Sequence, residues 1–127
     1  MILFKPEVAP SDFAKLNPFL KIIIGHFESY ALQHELPVLV TSLISDRVHI
    51  KKQSSVHREA RGCDISIRGW DTFHRERVKH YLNSNFAVEW GTRPVDSHIM
   101  PRVCIIHGDP LHFHLQVRRD IVISNLN

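Results

Sequence analysis

Two short stretches of the chain carry residues whose types and spacing suit metal chemistry. The first, SSVHREARGCDIS, places His57 seven positions before Asp64. The second, HGDPLHFHLQV, places Asp109 three positions before His112. Imidazole nitrogen and carboxylate oxygen are common zinc ligands, and a catalytic zinc site has three protein ligands with one position left open. His57, Asp64 and His112 would supply such a set of ligands.

The residues beside these predicted ligands suggest a reaction. Asp109 could take a proton from a metal-activated water molecule and pass it to a leaving amine, which makes it the predicted general base. Glu59 is the rival base because it lies two residues after His57. His114 shares a strand face with His112, since side chains alternate with period two. We expect His114 to orient the ligands or to stabilise a developing oxyanion.

Each of these residues also has a plainer interpretation. His57 stands in a basic segment and is compatible with an ordinary surface histidine. Asp64 has apolar neighbours and is compatible with a satisfied polar group or a turn former. His112 and His114 would be equally compatible with the exposed outer face of a strand, and Asp-Pro is a common turn dipeptide. Spacing alone therefore leaves the metal site as one of two interpretations.

Two helices are predicted among the elements that must position these residues. The first covers residues 18–36, where apolar residues recur at steps of three and four and Pro37 closes the pattern. Its predicted buried stripe is Leu20, Ile23, Ile24, Phe27 and Ala31. The second covers residues 71–85, is capped by Asp71 or Thr72, and has four predicted inner residues. These four are Phe73, Val78, Tyr81 and Leu82.

Strand patterns occupy much of the remaining chain. Short, β-branched or alternating segments predict strands over 1–4, 37–45, 63–67 and 86–90. Residues 102–117 predict two strands hinged at Gly108, Asp109 and Pro110, where turn-forming residues cluster. Polar or Gly- and Pro-containing segments predict loops over 46–59 and 91–101. This order predicts an α+β fold in which helices pack on a small antiparallel sheet, with the zinc site at one end of the sheet.

Length and composition restrict the class of protein. A chain of 127 residues suits one domain, predicted over 1–127, and 43% hydrophobic with 23% charged residues is typical of globular proteins. No apolar run reaches the roughly 20 residues that span a bilayer. The N-terminus MILFKPEVAP lacks a signal-peptide pattern, so we expect synthesis in a cytosol and, if the protein is exported, another route of export. Two cysteines, Cys63 and Cys104, predict buried thiols rather than a disulfide framework.

The two stretches together resemble a known family. They are similar to the zinc D-Ala-D-Ala carboxypeptidases and L-Ala-D-Glu endopeptidases that cut peptidoglycan stem peptides, many of them bacteriophage endolysins. The first family motif is Ser-x-His-x-x-Gly-x-Ala-x-Asp. Ser55, His57 and Asp64 match it, with the two small residues exchanged at Ala60 and Gly62. The second motif has an acid three residues before a histidine, and this chain has DPLHF at that place.

The resemblance covers about residues 18–117 and implies a set of roles. His57, Asp64 and His112 would bind zinc, and Asp109 would be the general base. These roles imply a zinc-dependent peptidase of the endolysin type, with the peptidoglycan stem peptide as its substrate. The resemblance also implies synthesis in a host cytoplasm and action on the cell wall after release.

Other residues are expected to contact the substrate. The family arginine that steadies the substrate or the oxyanion falls at Ser45, so Arg47 is its nearest replacement. Ser55 of the first motif is a predicted substrate contact. The segment GTRPVDSHIMP predicts a mobile rim of the cleft, with Arg93 and His98 as its substrate contacts.

Two other functions compete with the peptidase. One is a non-catalytic metal-binding or wall-binding module of the same fold, which the missing arginine favours. The other is a nucleic-acid binder that uses the segments DRVHIKK and RRD, since the net charge is +3. A nucleic-acid partner is the weaker prediction, because the chain has no basic strand pair interleaved with aromatic residues and no known motif.

Overall fold

The computed structural model describes residues 1–43, 60–92, 100–119 and 121. The predicted loop over 46–59 and most of the predicted loop over 91–101 lie outside these residues. The strands are β1 (Ile2–Phe4), β2 (Val38–Ser42), β3 (Gly62–Ser66), β4 (Cys104–His107) and β5 (His112–Gln116). The helices are a 3₁₀ helix (Pro10–Lys15), α1 (Pro18–Gln33) and α2 (Thr72–Trp90). The predicted α+β class is confirmed.

The five strands form one mixed sheet in the order β1-β2-β3-β5-β4. β1 pairs with β2 in parallel, and the other three pairs are antiparallel. The prediction of a small antiparallel sheet is therefore wrong at this edge, and the sheet is mixed. The physical reason is the long connection between β1 and β2. The 3₁₀ helix and α1 carry the chain back to the end of the sheet where β1 began, so β2 runs in the same direction as β1.

Helix α1 forms where its apolar stripe predicted it. The Asn17 side chain accepts a hydrogen bond from the backbone N–H of Phe19 at 2.8 Å, and Pro18 occupies the first turn, where its missing N–H costs nothing. The predicted stripe is buried. The helix ends at Gln33, three residues earlier than predicted, because Glu35 takes a left-handed φ of 54°.

Helix α2 begins as predicted but is longer. The Asp71 side chain accepts a hydrogen bond from the backbone N–H of His74 at 2.8 Å and so caps the first turn. The predicted strand over 86–90 is wrong, because the helix continues to Trp90. The rings of Phe86 and Trp90 stack at 5.3 Å, four residues apart on one face of the helix. This packing overrides the β propensity of the segment.

Only half of the predicted inner face of α2 is buried. Val78 and Leu82 are fully buried, whereas Phe73 is 61% exposed and Tyr81 is 38% exposed. The prediction that Phe73 and Tyr81 point into the core is therefore wrong. The helix packs through a narrow stripe, and its two exposed rings lie along a groove beside α1.

The core lies between the helices and one face of the sheet. Phe27 of α1 contacts both Phe113 of β5 and Trp70, with ring centroids 5.0 Å apart in each pair. Trp70 in turn contacts Phe113 at 4.9 Å. This aromatic cluster fixes β5 against the helices and so sets which face of β5 is turned away from them.

The two cysteines are free, buried thiols. Cys63 and Cys104 both pair with Leu115, from opposite sides, so two strand spacings of about 4.8 Å separate them, beyond the reach of a disulfide. Burial raises the pKa of the Cys63 thiol, and it raises the pKa of Cys104 to about 12. The prediction of two buried thiols is confirmed. Among the described helices, none has the length and hydropathy needed to span a membrane.

Candidate metal centre

The antiparallel pair of β3 and β5 brings the predicted carboxylate and histidines together. The register places Asp64 opposite His114 and Ser66 opposite His112. Residues opposite each other in an antiparallel pair share a face. The alternate residues on these strands, among them Ile65 and Phe113, are buried in the core. Asp64, His112 and His114 therefore lie on the sheet face that points away from the helices.

His112 is oriented so that one ring nitrogen faces Asp64. Its Nδ1 lies 3.0 Å from the carbonyl oxygen of Pro110, which can only accept a hydrogen bond, so Nδ1 carries the proton. In the neutral ring, Nε2 then keeps its lone pair. This Nε2 lies 3.6 Å from Oδ1 of Asp64. Two ligands of one tetrahedral zinc ion, with bonds of about 2.0–2.2 Å, stand roughly 3.3–3.6 Å apart.

Both ring nitrogens of His114 lie within hydrogen-bonding distance of side-chain oxygens. Its Nδ1 lies 2.7 Å from Oδ1 of Asp64, and its Nε2 lies 3.0 Å from Oε1 of Gln116. The Gln116 amide nitrogen donates to the carbonyl oxygen of Arg102 at 3.3 Å, which leaves Oε1 as the atom that faces His114. His114 Nε2 must therefore donate. The short contact with Asp64 also carries a proton, either on the imidazole or on the carboxyl group.

The burial of His114 shows which of its two predicted roles the geometry supports. The residue is 6% exposed, and both ring nitrogens are engaged by protein oxygens. This arrangement fixes the orientation of the Asp64 carboxylate, as a hydrogen bond from a neighbouring residue does in many metal sites.

The turn between β4 and β5 contains a glycine, Gly108, against which the His112 ring packs. Gly108 has a φ of +94°, and a Cβ atom placed on it would collide with the His112 ring. Glycine is therefore required both for the backbone conformation and for the ring to lie over the turn. Asp109 follows it, is exposed, and precedes Pro110 through a cis peptide bond. Asp109 thus stands on the same turn as the carbonyl group that orients His112.

Sequence reasoning missed one histidine of this face. His107 ends β4 and pairs with His112 across the turn. Its ring centroid lies 4.9 Å from that of His112 and 5.1 Å from that of His114. The signal was present in the sequence, because HGDPLH is a four-residue turn flanked by two histidines, and residues that flank a hairpin turn often pair.

Several predicted site residues lie outside the described part of the chain. They are Arg47, Ser55, His57, Glu59, Arg93 and His98. Within residues 1–43, 60–92, 100–119 and 121, no three His, Cys, Asp or Glu side chains form a group that could hold a metal ion. Asp64 and His112 are thus two neighbouring side chains, and their role as zinc ligands, like that of His57, stays a prediction.

Two described residues, Thr92 and Arg102, flank the part of the predicted rim that contains Arg93 and His98. Thr92 forms a backbone bridge with Arg102, whose carbonyl oxygen also contacts Gln116. Gln116 is at the end of β5 opposite His112. Thr92 and Arg102 therefore lie at the end of the sheet away from the His107–His112 turn.

Comparison of the chain with protein-family models, with curated proteins and with solved structures found no match. The assignment of a function therefore depends on the residues themselves.

Proposed function

We propose that this protein is a zinc-dependent peptidase that cuts amide bonds in peptidoglycan stem peptides, in the manner of an endolysin. One observation carries the proposal. Nε2 of His112, which keeps its lone pair in the neutral ring, lies 3.6 Å from Oδ1 of Asp64, a spacing suited to two ligands of one zinc ion. His57 stands seven residues before Asp64 in a motif that resembles the one in this peptidase family.

The donor set fits zinc. Two neutral imidazole nitrogens and one carboxylate oxygen are a ligand set of the kind found in zinc peptidases. The fourth coordination position is left for water or substrate. When bound, zinc would supply Lewis acidity, which polarises a carbonyl group and acidifies water. His57, Asp64 and His112 would hold it, and His114 would keep the carboxylate of Asp64 in place through its 2.7 Å hydrogen bond.

Asp109 would move the protons. Cleavage of an amide needs a base that accepts a proton from the attacking water and an acid that delivers one to the departing nitrogen. Asp109 is exposed on the turn three residues before His112, so its carboxylate is open to solvent and substrate. Arg47 would stabilise charge on the carbonyl oxygen, and Ser55, Arg93 and His98 would contact the peptide.

A test begins with metal-free protein, zinc and purified peptidoglycan. We expect the zinc-loaded protein to release new amino groups, and mass spectrometry of digested muropeptides to identify a single type of cleaved amide. A zinc-binding protein that releases none would favour the second candidate, a non-catalytic wall-binding module. Ser45 at the place of the family arginine is the observation that favours this alternative. A protein that binds neither zinc nor peptidoglycan would contradict both.

A further inference from the structure

A concave surface lies on the helical side of the fold, on the other side of the sheet from the candidate metal centre. It is a groove of about 960 Å³ between α1 and α2. These helices pack on the core face of the sheet, where Phe27 meets Phe113. Asp64 and His114 lie on the other face, so the groove and the candidate metal centre are separate sites.

The chemistry of the groove is unusual for a surface between two helices. Its described lining residues are aromatic, hydroxyl-, amide- or imidazole-bearing or charged, and none is Ala, Val, Leu, Ile or Met. Phe73 is 61% exposed and Tyr81 is 38% exposed. Ser29, Gln33 and Asn85 are among the side chains that supply hydrogen-bond donors and acceptors along the same walls.

Cross-helix hydrogen bonds hold the walls of the groove in place. The Tyr30 hydroxyl lies 2.7 Å from Nδ1 of His74, and the Tyr81 hydroxyl lies 3.0 Å from Nδ1 of His26. Each bond joins α1 to α2. The groove is therefore largely formed before any ligand arrives, which lowers the entropic cost of binding.

The groove carries little net charge. Its one described acid, Glu76, pairs with Lys79 at 2.7 Å. Its one described arginine, Arg77, lies over the Phe73 ring at 5.3 Å. An anionic polymer would require several uncompensated cations, and this surface does not present them.

We propose that this groove binds an uncharged oligosaccharide. A sugar ring has an apolar C–H face that can lie on an aromatic ring, and hydroxyl groups at its edge that can bond with side chains such as Gln33 and Asn85. A partner helix or an acyl chain would instead bury aliphatic side chains, which are absent from the described lining. The volume also lies within the usual range for ligand sites, about 300–1,000 Å³.

The inference goes beyond the proposed peptidase function and does not rest on it. If both hold, the groove would bind the glycan strand while the opposite face of the sheet acts on the stem peptide. The protein would then contact peptidoglycan at two separate sites. Binding of glycan in the groove would raise the effective concentration of stem peptide at the other site, so that overall affinity exceeds that of either site alone.

The test is an NMR titration of the ¹⁵N-labelled full chain with chitotetraose and, in a second series, cellotetraose. We expect shifts confined to the groove-facing residues of α1 and α2. Replacing Phe73 by Ala should weaken binding about two- to tenfold through the loss of one ring contact. Val88→Ala is the matched control, because Val88 is 69% exposed on the same helix and does not line the groove.

Three results would overturn the inference. The first is that neither oligosaccharide shifts the groove resonances at millimolar concentration. The second is that Phe73→Ala and Gln33→Ala both bind as tightly as the parent protein. The third is that shifts occur on β3 and β5 instead of the helices. Groove binding by a protein that releases no amino groups from peptidoglycan would support this inference and remove the peptidase proposal, so the two can fail separately.

Discussion

Two groups of histidines lie on opposite sides of the molecule, and their hydrogen-bond partners differ in kind. On the sheet face that points away from the helices, His114 and His112 approach the Asp64 carboxylate at 2.7 and 3.6 Å. In the helical layer, His74 and His26 pair with the hydroxyl groups of tyrosines. A carboxylate adds a charge and a second ligand type beside the imidazole, whereas a phenol adds only a neutral hydrogen bond.

The tyrosine partners of His74 and His26 join two helices, whereas the Asp64 partner of the sheet-face histidines is itself a predicted metal ligand. On the sheet face, the Pro110 carbonyl group fixes the tautomer of His112 and leaves Nε2 directed at Asp64. In the helical layer, Tyr30 holds the Nδ1 atom of His74, and this ring also packs against His34 at 4.5 Å. Histidine content alone therefore says little, and the partner of each ring decides its chemistry.

The largest expected effect is at Asp109. Asp109→Asn keeps the shape of the side chain and removes its ability to accept a proton, so hydrolysis of muropeptides should fall by at least about a hundredfold. Zinc content should stay the same, because Asp109 is not a predicted ligand. Glu59→Gln is the control for the rival base. If that variant loses hydrolysis while Asp109→Asn retains it, the catalytic roles are misassigned.

A smaller effect is expected at His114. Comparison of this variant with one in the helical layer tests whether the two histidine groups differ in their effect on zinc binding. His114→Ala removes the 2.7 Å hydrogen bond to Asp64, so zinc affinity should fall about ten- to hundredfold, the usual scale for a residue that orients a ligand. His74→Ala is the matched variant in the helical layer and should leave zinc affinity unchanged. Competition with a chromophoric chelator measures both. Equal losses of zinc affinity in the two variants would contradict a special role for the sheet-face histidines.

Gly108 tests whether the turn orients His112. Gly108→Ala places a methyl group against the His112 ring and forces a positive φ on an alanine, so the free energy of unfolding should fall by about 1–3 kcal/mol. Gly25→Ala is the control, because a Cβ atom there meets nothing within 4 Å, and helix propensity should raise stability by about 0.5–1 kcal/mol. Urea denaturation measures both variants. Loss of stability in Gly25→Ala alone would contradict the structure of the turn.

The smallest effect is expected at Tyr30. Tyr30→Phe removes the hydroxyl group that bonds with His74 and should lower the free energy of unfolding by about 1 kcal/mol. Zinc affinity should not change, since this hydrogen bond belongs to the helical layer. Thermal unfolding and the same chelator assay measure the two quantities. Weaker zinc binding in this variant would show that the two histidine groups are coupled.

Part of this architecture could be predicted from the sequence. Alternation with period two predicted that Asp64 and His114 lie on the strand face opposite Ile65 and Phe113. The turn-forming residues after His107 predicted the position of the last hairpin. Strong local signals, such as the apolar stripe of α1, also determined the buried side of that helix.

The remainder depends on contacts between distant segments. The pairing of His107 with His112 requires the hairpin register, which propensity alone does not give. The length of α2 was missed because Phe86 and Trp90 have strand propensity but stack as helical neighbours. Phe73 and Tyr81 were predicted to be buried, because the sequence does not reveal how narrow the packed stripe of α2 is.

Zinc stoichiometry tests the central claim most directly. Metal analysis of the parent protein, purified without added metal and then loaded with zinc, should give about one zinc ion per chain. His57→Ala and His112→Ala should lose nearly all of it, because each removes one of three ligands. His80→Ala, on the helical groove, should retain the full amount. Full zinc retention in both His57→Ala and His112→Ala would contradict the assignment of the metal centre.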